Sequence, residues 1–177
     1  MARRNSDNTT ARFIFSTKEA LQDPSWAELF TAQEGTVIGP YQASQGVYRI
    51  AKLVIAQNRP DSVEARHILI KPTQSMNLDS VQTRIEALKL QVETGADFGI
   101  LAEKNSEDPG SAIKGGDLGW FSEGTMVDEF NEACFTSKVG DLSVVTSQFG
   151  VHLIEVTQTS KAVRKVKVAF IDRNVEP

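Results

Sequence analysis

The chain has 177 residues, of which 40% are hydrophobic and 24% charged, with a formal net charge of −4. That balance suits a globular protein with room for one ordinary domain and a smaller piece. It gives no basic stripe for nucleic acid and no apolar run near the roughly 20 residues that cross a bilayer, and a single cysteine closes no internal disulfide.

Taken in chain order, residues 1–10 are basic and then polar, with no apolar stretch behind them, so they read as a polar end and not as a signal peptide. Asp23 to Phe30 reads as a short helix, with Pro24 in its first turn and Trp26, Leu29 and Phe30 on one side. Gly46 to Ala56 alternates as a strand, setting Val47, Arg49, Ala51 and Leu53 against Tyr48, Ile50, Lys52 and Val54. The segment Asn58–Ser62 carries Pro60, Asp61 and Ser62 and reads as a dividing turn.

Beyond it, Glu64 to Lys71 alternates again. Ala65, His67 and Leu69 share one face of that strand, and Ile68 and Ile70 the other. A helix from Ser80 to Thr94 has Val81, Ile85, Leu88 and Val92 as its apolar stripe. Asp79 is its expected N-cap with Gln82 three residues on, and Gly95 its stop. A short helix follows over Asp97 to Lys104, burying Phe98 and Leu101. After a glycine-rich loop, a third helix over Thr125 to Thr136 sets Met126, Phe130 and Cys134 one turn apart. Leu142 to Val145, a turn near Ser147 to Gly150 and a strand over Val151 to Thr157 close the region. His152, Ile154 and Val156 point one way in that strand.

The tail from Val163 to Ile171 is strand-like and needs a partner. Gly35 to Ile50 echoes Gly140 to Ile154, and Glu64 to Ile68 is echoed by Lys167 to Ile171. Tyr48 answers His152, and Phe170 answers His67. Two readings stand: a true internal repeat, or two amphipathic hairpins that look alike by chance. These features predict a flanking segment over 1–60, a central domain over 61–158 and a strand-like tail over 159–177. The two flanks are expected to lie near each other, in a chain cut from a longer protein.

Three segments carry the chemistry: Ala65–Ile70 (ARHILI), Ser106–Phe121 (SEDPGSAIKGGDLGWF) and Gln148–Ile154 (QFGVHLI). The first and third hold both histidines of the chain, His67 and His152. In this order, from about Val63 to about Val156, they resemble the parvulin family of peptidyl-prolyl cis-trans isomerases. The resemblance implies an α+β fold, a small antiparallel sheet surrounded by helices, here with a small flanking α/β segment. It implies prolyl isomerisation, which needs no cofactor and no metal. The first sixty residues and the tail make the chain similar to a SurA-like or PpiD-like foldase. That implies a periplasmic or cell-envelope location and proline-containing unfolded or extended polypeptides as partners, with no nucleic acid and no membrane insertion by this segment.

The resemblance also assigns residues. Leu118, Met126 and Phe130 become the walls of a proline pocket, with Phe149 over it and Trp120 beside the loop. Spacing alone equally allows Met126 and Phe130 to be ordinary helix-core residues. His67 and His152 face each other, either as catalytic groups or as a structural polar pair. Asp108 falls where parvulins carry cysteine or aspartate; as Asp-Pro-Gly it is also a good turn former. Ser147 occupies the family's hydroxyl position, or is a surface-turn serine. Cys134 reads as helix core, because nothing nearby would activate its thiol. The loop after the first strand, Lys71 to Ser80, has one lysine and an aspartate where phosphate-directed parvulins carry arginines. A phosphate wants paired arginines, so no phospho-preference is expected. The rival reading is a catalytically weak, parvulin-fold peptide-binding chaperone module.

Overall fold

The computed structural model describes residues 15–21 and 23–175. The chain divides into two compact units. One comprises the chain up to Arg59 together with the chain from Ala162; the other is Pro60–Lys161. The reading of residues 1–10 as a polar end lies outside the described residues.

The second unit is built on a four-stranded antiparallel sheet of order β4-β3-β6-β5. Its strands are β3 (Ser62–Ile70), β4 (Asp117–Ser122), β5 (Leu142–Ser147) and β6 (Gly150–Thr159). Helices α1 (Leu78–Glu93), α2 (Phe98–Asn105), α3 (Pro109–Ala112) and α4 (Asp128–Thr136) lie around it. The fold is α+β. The period of two in β3 sorts its side chains as alternation requires. Ile68 and Ile70 join Val151 and Leu153 against Val81, Ile85 and Leu88 of α1 and Phe98 of α2. Val63 and Ala65 join Ile154 and Val156 against Phe121, Phe130 and Cys134. The sheet is therefore covered on both faces, and His67–Ile70 of β3 and Gly150–Ile154 of β6 are buried without a break.

Local chemistry sets the helix ends, not always as the sequence suggests. The N-cap of α1 is Asn77, whose side chain accepts the Ser80 amide; Asp79 instead lies in the first turn, where its charge favours the helix dipole. In α2, Asp97 caps the Ile100 amide, and Phe98 and Ala102 are the buried residues, with Leu101 only half-buried. The glycine-rich stretch is not all loop, because it contains α3 and β4. Helix α4 starts at Asp128, so Met126 precedes it, and the one-turn spacing of Met126 to Phe130 is not a helical contact.

The first unit holds a three-stranded sheet of order β1-β2-β7, with β1 (Val37–Ser44), β2 (Val47–Pro60) and β7 (Ala162–Asn174). The tail strand thus has its partner in β2. Strand β2 runs on to Pro60, through the segment that reads as a turn, and only Asp61 separates it from β3. Proline steers the residue before it toward extended backbone, which suits the last step of a strand as well as a turn. Residues 24–28 form a 3-10 helix, capped by Asp23, shorter than the helix expected over Asp23 to Phe30. Ala51, Leu53, Val166 and Val168 pack with Trp26 and Leu29. On the same side, Arg49 binds Asp172 with two nitrogens at 2.6 and 2.8 Å and Asp23 at 2.9 Å. It also lies over the Phe170 ring at 4.2 Å. The strand order β1-β2-β7 matches β5-β6-β3, strand for strand, along the echo seen in the sequence.

Candidate active site

The two histidines meet because of sheet register. His67 of β3 lies opposite Ile154, and His152 of β6 lies opposite Leu69. They are diagonal neighbours on one face of the sheet, the pairing distance at which long side chains touch. Their Nδ1 atoms are 3.2 Å apart and the ring planes lie within 17°. Both rings are buried, at 6% and 4% exposure, so each nitrogen needs a partner.

Those partners extend the pair into a chain. His67 Nε2 lies 2.9 Å from Asp108 Oδ2 and 3.0 Å from Ser111 Oγ. His152 Nε2 lies 2.8 Å from Ser147 Oγ, which also accepts the Phe149 amide at 3.1 Å. Burial pushes the Asp108 carboxyl up, but the Ser111 hydroxyl, His67 and the Gly110 amide together hold it below its ordinary 3.8. Burial, reinforced by His67, takes His152 down to about 4, against a weaker opposite pull from Asp108. At neutral pH the carboxylate is ionised and His152 is neutral. With one proton on each imidazole, each proton has one consistent place. His67 Nε2–H donates to Asp108, His152 Nδ1–H donates to His67 Nδ1, and the Ser147 hydroxyl donates to His152 Nε2.

Two glycines bring the backbone close enough for this. A Cβ at Gly116 would overlap the His67 carbonyl oxygen, and one at Gly150 the Ile70 carbonyl oxygen. The Gly116 carbonyl accepts the His67 amide at 2.9 Å. The Asp108 loop is tied to the free side of β3 in a similar way. Ser106 Oγ accepts the Leu69 amide at 3.1 Å, and the Glu107 amide donates to the Leu69 carbonyl at 2.7 Å.

Beside the relay lies an open cavity of about 320 Å³, lined by His67, Leu69, Lys71, Asp108, Leu118, Met126, Val127, Phe130, Phe149 and His152. All four residues proposed from sequence for the pocket line it, as do three of the four polar ones. Ser147 does not, and reaches the site through His152. Phe130, at 3% exposure, stands edge-to-face against both imidazoles, 5.6 Å from His67 and 5.3 Å from His152, and so joins the pocket to the relay. Phe149 is 54% exposed on the two-residue β5–β6 turn. Trp120 is 49% exposed and does not line the cavity. Sequence reasoning did not single out Leu69, Val127, Lys71 or Ser111 for the site. Leu69 was legible, since it shares the His67 face of β3; Ser111 sits within the central motif but carried no periodic signal. Cys134 is buried and its thiol is pushed up to about 12, so it has no nucleophilic character. Among the described residues, no group of three or more His, Cys, Asp or Glu could hold a metal ion.

The sequence model of the PPIC-type PPIASE domain matches residues 48–160. The chain belongs to that family. It is 38% identical over 135 residues to the chaperone SurA of Methylococcus capsulatus, covering 73% of this chain and 30% of that protein. It is 41% identical over 105 residues to the foldase protein PrsA of Geobacillus kaustophilus, covering 59% of this chain and 34% of that one. The chain thus spans about a third of the length of these curated relatives. Among solved structures, the peptidylprolyl isomerase PrsA of Bacillus anthracis superposes with a TM-score of 0.51 at 33% identity. That match covers 59% of this chain and 44% of that chain. The family model is thus named for peptidyl-prolyl isomerases, and the relatives are named a chaperone and a foldase.

Proposed function

We propose that the chain catalyses cis/trans isomerisation of X-Pro bonds in unfolded or extended polypeptides, without needing phosphorylation of its substrate. The carrying observation is the apolar cavity of Leu118, Met126, Phe130 and Phe149 set directly against the His67–His152–Asp108 network. Rotation of the amide costs roughly 18–20 kcal/mol because twisting breaks its resonance. A thousandfold acceleration needs only about 4 kcal/mol of preference for the twisted form. Holding the proline ring in the apolar cavity, out of water, supplies part of that. The fixed dipoles of the relay, which need no reorientation as the amide twists, supply the rest. No proton is transferred overall, so the histidines act by orientation and charge placement.

Lys71 is the one lysine or arginine among the cavity's lining residues, and the ionised Asp108 shares the wall with it. A phosphate would meet one lysine and a carboxylate, so a phosphopeptide is expected to bind no more than tenfold tighter than its unmodified form. The kinship with SurA and PrsA supports a role in folding within the periplasm or cell envelope. No helix among the described residues is long and apolar enough to cross a membrane. As separate domains, we read 61–158 as the isomerase and the flanks, 1–60 and 159–177, as its companion.

The test is exchange NMR on a short unphosphorylated X-Pro peptide with catalytic amounts of the chain, and with the Met126→Ala variant beside it. Faster cis/trans exchange that falls roughly tenfold in the variant supports the reading, since it removes the half-buried thioether from the cavity wall without touching the relay. The chaperone names of the relatives favour a second reading, a peptide-binding module with little catalysis. Line broadening without faster exchange, seen equally with a proline-free apolar peptide, would decide for it.

A further inference from the structure

Ser111 is a buried hydroxyl with no need to be polar for the fold. It sits in α3, a helix of one turn, at 2% exposure, where alanine would fill nearly the same volume. Burying a hydroxyl without hydrogen-bond partners is unfavourable, so its partners matter. They are two members of the relay. Ser111 Oγ lies 2.5 Å from Asp108 Oδ2 and 3.0 Å from His67 Nε2, and those two atoms are 2.9 Å from each other. The three atoms close a triangle. Its one consistent proton arrangement has Ser111 and His67 both donating into the ionised carboxylate. The other oxygen of Asp108 accepts the Gly110 amide at 3.2 Å, so the carboxylate is held at both ends. The Ser111 main chain reaches His67 by a second route: its carbonyl accepts the Gly116 amide at 2.9 Å, and the Gly116 carbonyl accepts the His67 amide.

Resting on the isomerase reading of this cavity, we propose that Ser111 is a positioning residue of the site, which fastens Asp108 to His67 and thereby fixes the direction of the whole relay. A carboxylate that lost this hydroxyl would keep the Gly110 amide but swing more freely at the end that faces His67. The His67 Nε2–H would lose its fixed acceptor, and His152 and Ser147 would lose the orientation inherited from it. The charged and titratable groups around Asp108 are His67 on β3, His152 behind it on β6, and Lys71 across the cavity wall. Glu107 turns instead to the Lys71 amide. Removal of the Ser111 donor also removes the foremost of the contacts that lower the Asp108 pKa, so that group should titrate at higher pH in the variant.

The experiment compares wild type, Ser111→Ala, Asp108→Ala and the double variant, by ring-nitrogen NMR of both histidines at neutral pH and by exchange NMR on the X-Pro peptide. Wild type should show a slowly exchanging His67 Nε2–H and the complementary His152 Nδ1–H. In Ser111→Ala the His67 signal should lose its protection, and kcat/KM should fall roughly three- to tenfold, the scale of one buried hydrogen bond. Added to Asp108→Ala, the serine change should cost nothing more, because Ser111 acts through Asp108. Ser111→Cys, which keeps a donor at the same position but a weaker one on a somewhat larger atom, should move the same ring signals by less, and serves if the alanine variant folds poorly. An unchanged His67 proton in Ser111→Ala, or losses that multiply in the double variant, overturns the proposal. A wild-type chain without isomerase activity would sink the functional reading alone, since the ring protons still report on Ser111.

Discussion

Gly116 offers a sharp test of how the site is held together, because the fold contains its own control. Gly116 has φ +84° and Gly124 has φ +83°, so alanine at either position incurs the same left-handed backbone cost, about 1–2 kcal/mol. They differ in what a Cβ would meet. At Gly124 there is nothing within 4 Å; at Gly116 the new carbon overlaps the His67 carbonyl oxygen and lies 3.1 Å from Ala102 Cβ. Neither neighbour is a flexible side-chain tip. One is the main chain of β3 and the other is buried under it, so the backbone must move. Overpacking of this kind costs about 1–3 kcal/mol, and the shift endangers the hydrogen bond from the His67 amide to Gly116, a further ~1 kcal/mol. Gly116→Ala should therefore lose about 3–6 kcal/mol against about 1–2 for Gly124→Ala. The assay is urea unfolding followed by the amide signals of β3 and β6, so that this unit is read on its own. The ring protons of His67 and His152 are recorded in the folded baseline. Equal losses in the two variants would refute the claim that close approach to His67, and not backbone conformation alone, requires this glycine.

The buried His152 predicts a pH dependence of known sign. Its folded pKa, about 4, lies below its ordinary 6.5, so between those values unfolding takes up a proton and stability falls as pH drops. The loss should reach roughly 3 kcal/mol by pH 4; a His152→Gln variant with an equally steep decline from pH 6.5 to 4.5 in urea midpoints would contradict it. Arg49→Ala should destabilise the first unit by about 3–5 kcal/mol, because it takes the cation from between the buried carboxylates of Asp23 and Asp172. Trp26, buried in that core, provides the optical signal, and a loss under 1 kcal/mol would count against the network's importance. The Cys134 thiol, pushed up to about 12, should resist alkylation at pH 8 in the folded chain and react once it is unfolded; rapid modification of the native chain would refute its burial.

Much of the fold was legible because strands write their burial into every second residue. The alternation around His67 placed Ala65 and His67 on one face and Ile68 and Ile70 on the other, and β3 divides them between the two cores in that way. The stripe of α1 was equally plain; its cap was not, because Asn77, Asp79 and Ser80 are all competent capping types and only the path of the chain chooses among them. Met126 shows a similar limit. Its spacing from Phe130 fits a helix, yet the helix begins at Asp128, and Met126 reaches the cavity from the segment before it. Spacing defines a face only where the backbone is already helical.

The amino-acid sequence by itself determined which side chains could carry the chemistry: two histidines in apolar strands, a carboxylate in a tight turn, and apolar residues of suitable size in the right order. The tertiary structure alone decided that they meet. His67 and His152 are 85 positions apart, and the β3–β6 register makes them neighbours. A shift of that register by one residue would turn one of the rings to the other face of the sheet. Ser111 belongs to the same class of fact. A serine within a Gly- and Pro-rich turn carries no periodic signal, and its role exists only because α3 folds back to bring its hydroxyl between Asp108 and His67. Local residue chemistry fixes what a group can donate or accept; which group stands opposite it is a property of long-range pairing.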